Sequence, residues 1–139
     1  MELIPNSKIY IDTNLFIYFF ENNPNYADKV EKLFEESINK NILLISSELL
    51  YLELSVLPIK KQNSKILKLY TDIENYLPNL DLIPISKNIL LKAAEIRATY
   101  NYRSPDAIHL STALSEKCKG FYCADKNLKS FEQIKINIV

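Results

Sequence analysis

Lys8-Ile9-Tyr10-Ile11-Asp12-Thr13-Asn14 decides how this chain is read. Ile9 to Ile11 is a short apolar run of the kind that forms a buried strand, and Thr13 to Phe20 reads as a helical turn or helix starting directly after it. Asp12 falls at the junction. Near the other end, Phe121-Tyr122-Cys123-Ala124-Asp125 repeats the arrangement, with a strand predicted over Phe121 to Cys123 and an acid just beyond it. A carboxylate carried to the edge of a buried sheet is costly unless a cation or hydrogen-bond donors meet it.

Between these stretches, helical and strand patterns alternate. Val30, Leu33, Phe34 and Ile38 have the spacing of an amphipathic helix over Ala27 to Asn39. Leu43 to Ile45 is a second strand candidate. Ser46 or Ser47 then caps a helix running toward Pro58, with Glu48 in its first turn where the dipole favours negative charge. Glu53 lies further along that helix, about 140° around from Glu48, so the two acids do not share a face. It stands among Leu49, Leu50, Leu52, Leu54, Val56 and Leu57, which leaves it few solvent-facing alternatives.

A helix is predicted over Ser64 to Tyr76, a third strand over Leu80 to Ile85 and another helix over Lys87 to Tyr100. Ser104 as N-cap, Pro105 at the first helical position and Asp106 in the first turn mark the start of the next helix, which extends to Lys117. Gly120, the sole glycine, is expected to be its left-handed stop, and Ile134 to Val139 a final strand. The alternation predicts an α/β chain with a parallel sheet covered on both faces. Sites in such sheets lie beyond the carboxyl ends of the strands, so Asp12 and Asp125 are expected on one edge.

The 139 residues fit one domain, 1–139, with 47% hydrophobic and 24% charged residues and no low-complexity tract to divide it. Nothing at Met1-Glu2-Leu3-Ile4-Pro5 resembles a signal peptide, and Glu48 and Glu53 interrupt the most apolar stretch, so no membrane association and a cytoplasmic location are expected. Cys118 and Cys123 match no zinc or redox spacing and read as buried free thiols. A formal net charge of zero means that any nucleic acid is held by local patches. Lys60, Lys61, Lys65 and Lys68 form one such patch or a solvated helix face; Arg103, Lys126 and Lys129 flank two of the acids. A chain with one glycine cannot build a phosphate-cradling loop of the dinucleotide or P-loop type.

Asp12, Glu53, Asp106 and Asp125 together have the chemistry of a hard divalent site, because carboxylate oxygens suit Mg2+ or Mn2+ better than zinc. Such an ion lowers the pKa of a water and neutralises charge developing on a phosphate, so no covalent nucleophile is required. Singly, Asp12 also serves as a helix cap, Asp106 as a dipole partner and Asp125 as a turn residue. His109, between Ile108 and Leu110, reads as a packed core residue without a catalytic role. One histidine among many serines does not make a triad.

Ile9-Tyr10-Ile11-Asp12-Thr13-Asn14, Glu53-Leu54, Ser104-Pro105-Asp106-Ala107-Ile108-His109 and Tyr122-Cys123-Ala124-Asp125-Lys126-Asn127-Leu128, in this order and context, resemble the PIN domain. The single-domain length is similar to that of VapC-type toxins of toxin–antitoxin pairs. The resemblance implies an α/β/α sandwich with a mainly parallel sheet and a Mg2+- or Mn2+-dependent endoribonuclease. It also implies an RNA substrate, a homodimer and a small antitoxin whose tail occupies the active-site groove. By position it makes Asp12, Glu53, Asp106 and Asp125 the acidic ligands and Asn14 a water- or phosphate-binding residue; Arg103 joins Asn14 as a substrate-side candidate. One departure is Cys123, where the family often has Thr or Ser, and a thiol is a poorer hydrogen-bond partner for supporting Asp125. A PIN-like nuclease of RNA or DNA processing and a silent PIN-like module that binds RNA or protein stand as alternatives. A phosphoaspartate phosphatase does not, since Asp12-Thr13-Asn14 lacks a second Asp two residues on.

Overall fold

The computed structural model describes residues 3–139. Its centre is β1 (Lys8–Ile11), where Ile9, Tyr10 and Ile11 are all buried because both faces of the strand are covered. β2 (Leu43–Ser47) and then β3 (Leu80–Ile83) line up on one side of it, and β4 (Phe121–Cys123) and then β5 (Ile136–Ile138) on the other. The five-stranded order β3-β2-β1-β4-β5 is parallel at every pairing.

Alternation along β1 divides the core in two, since successive side chains point to opposite faces. Ile9 and Ile11 face a layer formed by α1 (Thr13–Phe20), α2 (Ala27–Asn39), α3 (Leu49–Lys60) and α4 (Ser64–Thr71), through Leu15, Phe16, Val30, Phe34, Leu50, Leu54 and Tyr70. Tyr10 faces the opposite layer, in which α5 (Lys87–Tyr100) and α6 (Ser104–Ser115) contribute Ala93, Ile96, Ala107, Leu110 and Ala113. The result is the expected α/β/α sandwich. Among the described residues, no helix is long and apolar enough to cross a membrane.

Several local expectations are corrected. α3 does not stop at Pro58 but carries it as a buried position and continues to Lys60, and Ser47 Oγ accepts from the Leu49 N–H at 3.1 Å. Its buried residues are Leu50, Leu54 and Pro58, whereas Leu52, Val56, Leu57 and Ile59 are exposed. The helix is thus apolar on its wet side too, and the apolar neighbours of Glu53 in sequence do not enclose it. The helix predicted to Tyr76 ends at Thr71 and gives way to a 3-10 turn over Ile73–Asn75. The strands predicted over Leu80 to Ile85 and Ile134 to Val139 are shorter. α6 begins at Ser104, one residue earlier than capping by that serine requires, and Ser104 Oγ instead accepts from Arg97.

Gly120 is not the left-handed stop after α6. Lys117, at φ 56°, takes that conformation, and no described glycine has positive φ. The glycine is needed for room: a Cβ at position 120 would meet Nδ2 of Asn137 at 2.6 Å and Cε1 of Tyr122 at 3.2 Å. β4 and β5 therefore approach each other over a residue without a side chain.

Candidate active site

The chain direction across the sheet reverses at β1, which has β2 on one side and β4 on the other. Crevices beyond the carboxyl ends of parallel strands open where the order reverses, because the two connections there leave in opposite directions. Asp12 follows β1 and leads into α1; Asp125 follows β4 and opens a 3-10 turn over Lys126–Ser130. The expectation that both acids emerge on one edge is met.

Asp12 is 7% exposed. Burial raises its carboxyl pKa against the opposing pull of His109, and the charges of Asp106 and Glu53 raise it further. Glu53 on α3 and Asp106 on α6 therefore lie close enough to Asp12 to repel it. Asp106 sits in the first turn of α6, and its Oδ2 accepts from Arg103 Nε at 3.3 Å. Arg103 itself is largely in solvent, with 80% of its side chain exposed. Asp125 lies further out: its Oδ1 accepts from the Asn127 N–H at 2.9 Å, so it does serve as a turn residue. It shares with Asp106 a groove of about 460 Å³, walled by Tyr100, Tyr102, Asn101 and Asn127. Tyr100 and Tyr102 stack on each other with centroids 5.3 Å apart. Asn14 is exposed in the first turn of α1.

Glu53 is held from below. Its Oε1 accepts from Thr13 Oγ1 at 2.7 Å and lies 2.5 Å from His109 Nε2. Burial pushes the Glu53 carboxyl up, but the His109 bond and charge, with the Thr13 hydroxyl and Arg103, outweigh it and hold the pKa below the usual glutamate value. Burial alone would push His109 down; the Glu53 bond and the Asp12 charge reverse that and raise it. His109 is buried as expected, at 1% exposure, yet its surroundings are not those of a packed core residue. Its Nδ1 is 2.6 Å from the Tyr10 hydroxyl and its Nε2 is 3.2 Å from Thr13 Oγ1 and 3.9 Å from Asp12 Oδ1. One signal for this was present in the sequence: His109 follows Asp106 by three residues, which puts both on one helix face.

Cys123 is fully buried, and its Sγ reaches the Asp125 carbonyl oxygen at 3.7 Å. The thiol thus contacts the backbone of Asp125. Burial, with the nearby charge of Asp12, pushes the Cys123 pKa up to about 12. Among the described residues no three His, Cys, Asp or Glu side chains are closed around a common point as metal ligands. The donor set nevertheless suits a hard cation. Asp12, Glu53 and Asp106 offer oxygens, and their mutual repulsion is what a divalent charge relieves.

Solved structures with the same fold include VapBC2 from Rickettsia felis bound to a DNA fragment from its promoter, at 17% identity and TM-score 0.67 over 94% of this chain and 98% of that one. A toxin–antitoxin complex from Klebsiella pneumoniae is similar at 18% identity and TM-score 0.65, over 91% and 94% of the two chains. FitAcB from Neisseria gonorrhoeae is similar at 17% identity and TM-score 0.67, over 92% and 95%. Among curated proteins no relative of this chain is found. The sequence matches the PIN domain family over residues 9–134. With that match covering nearly the whole parallel sandwich and all four acids, the chain belongs to the PIN domain family.

Proposed function

We propose that this protein is a Mg2+- or Mn2+-dependent endoribonuclease, the toxin of a toxin–antitoxin pair. The observation that carries the reading is buried Asp12 at the reversal point of the sheet, repelled by half-buried Glu53 and Asp106, with Asp125 sharing a groove with Asp106. Asp12, Asp106 and Asp125 are the residues that would hold the ion, Glu53 joining directly or through water. A bound ion would supply charge for the scissile phosphate and activation of the attacking water. Arg103 and Asn14, both exposed beside the acids, take the phosphate backbone, and the 460 Å³ groove receives the neighbouring nucleotide.

The similar toxin–antitoxin complexes support a small antitoxin as partner. Exposed Leu52, Val56 and Ile59 on α3, with Leu90 and Leu91 on α5, supply apolar surface for that protein and for a homodimer. A cytoplasmic location follows from the same reading. Asp12→Asn and Asp106→Asn should each abolish Mn2+-dependent cleavage of an RNA oligonucleotide while far-UV dichroism is kept; undiminished cleavage rejects the assignment. An antitoxin reading frame beside the gene separates a toxin from a processing nuclease.

A second reading, a PIN-like module that binds without cutting, is favoured by two observations. Asp106 is already paired with Arg103, and no closed ligand group is formed among the described residues. Calorimetric titration with Mn2+ distinguishes the two, since a silent module takes up no stoichiometric ion.

A further inference from the structure

We propose that His109 is a positioning residue for Glu53, clamped between the Tyr10 hydroxyl and the Glu53 carboxylate. This deepens the nuclease reading and rests on it for its consequence, though not for its geometry. The three side chains come from three elements: Tyr10 from β1, His109 from α6 and Glu53 from α3. They form an unbroken chain, Tyr10 Oη to His109 Nδ1 at 2.6 Å and His109 Nε2 to Glu53 Oε1 at 2.5 Å.

The chemistry fixes which nitrogen carries the proton. Oε1 already accepts from the Thr13 hydroxyl, so it acts as an acceptor, and the 2.5 Å contact takes its proton from Nε2–H. Thr13 donates to the same Oε1 at 2.7 Å, which turns its own lone pair toward Nε2 at 3.2 Å. Nδ1 pairs with the Tyr10 hydroxyl at 2.6 Å, accepting from it in the neutral imidazole and donating to its oxygen in the imidazolium. Each partner thereby sets the orientation of the next, and the imidazole cannot rotate without breaking two short bonds.

The consequence lies at the other carboxylate oxygen. Both donors converge on Oε1, and among the described residues none donates to Oε2. Oε2 is therefore the oxygen left for a cation or its water. Glu53 is on the helix whose exposed face carries Leu52, Val56 and Ile59, and without the His109 bond only the Thr13 hydroxyl opposes a turn of the carboxylate out to solvent. Partners of this kind, one bond behind a ligand, alter metal affinity by about 10- to 100-fold when removed.

The test has arms that do not depend on RNA cleavage. In the 15N spectrum of the metal-free protein, His109 should show a protonated Nε2 and a hydrogen-bonded Nδ1, with the Nε2 shift moving in Glu53→Gln and the Nδ1 shift in Tyr10→Phe. His109→Leu should weaken Mn2+ binding, read by calorimetry, by roughly 10- to 100-fold. His109→Gln, whose amide N–H reaches near the place of Nε2, should recover most of that loss. An unprotonated Nε2, or Mn2+ affinity in His109→Leu within about twofold of the parent, overturns the proposal. Should His109→Leu fail to fold, the spectra and the Gln and Tyr10→Phe variants decide. Should the parent protein bind no Mn2+ and cut no RNA, the nuclease reading fails while the spectra still judge the clamp.

Discussion

Asp12 Oδ1 lies 3.9 Å from His109 Nε2, with only 11% and 1% of the two side chains exposed. The distance is too long for a hydrogen bond, so His109 attracts Asp12 without satisfying it, while Asp106 and Glu53 repel it.

A buried carboxylate kept in this state costs the fold stability. Asp12 has its carboxyl pKa raised by burial, so in the folded protein it holds its proton to higher pH than in the unfolded chain. Its contribution is therefore fully present below the unfolded value and is lost as pH rises through the folded one. At neutral pH, Asp12→Asn should raise the metal-free thermal midpoint by a few degrees, on the order of 1 kcal/mol, while activity disappears. Mn2+ at 100 times its Kd should stabilise the parent by about 2.7 kcal/mol and the Asn variant far less. A lower midpoint for Asp12→Asn in calorimetry contradicts the account.

Arg103 separates the electrostatic terms. Its guanidinium neutralises Asp106 from a largely exposed position, where an ion pair contributes little to stability. Arg103→Ala should leave the thermal midpoint nearly unchanged and Mn2+ affinity equal or higher. If Arg103 contacts the phosphate backbone as proposed, the KM for RNA should rise by roughly three- to tenfold. An unchanged KM removes Arg103 from the substrate side.

Gly120 and Lys117 should respond in opposite senses. Gly120→Ala drives a Cβ against Asn137 across the β4–β5 pairing, and should destabilise by about 1 to 3 kcal/mol, read from denaturant midpoints. Lys117→Gly relieves a lysine held at φ 56° after α6 and should stabilise by about 1 kcal/mol. Equal effects of the two would mean that Gly120 is the conformational stop after all.

Cys118 and Cys123 are both buried, with burial pushing each thiol up to about 12. At pH 8 their thiolate fraction is lower by roughly a thousandfold than that of an ordinary thiol. Alkylation by iodoacetamide should proceed only as the protein unfolds; rapid labelling of the native protein would show that these sulfurs are accessible.

By itself the sequence determined the layers and the edge on which the acids appear. Ile9 to Ile11 and Phe121 to Cys123 are apolar on both faces, and only a strand covered on both sides accommodates that, so Asp12 and Asp125 had to follow buried strands. The helix Ala27–Asn39 was likewise written in its spacing. Periodicity failed where two readings shared one pattern. α3 is apolar nearly all round, so spacing alone could not say that Leu50, Leu54 and Pro58 face inward and Leu52, Val56 and Ile59 outward. The partners of His109 were decided by tertiary structure alone. Its helix spacing relative to Asp106 is local, but Tyr10 and Glu53 reach it from 99 and 56 residues away in sequence. Whether a buried imidazole packs against hydrocarbon or joins two polar groups depends on which strands and helices meet there, and that is a property of the assembled fold.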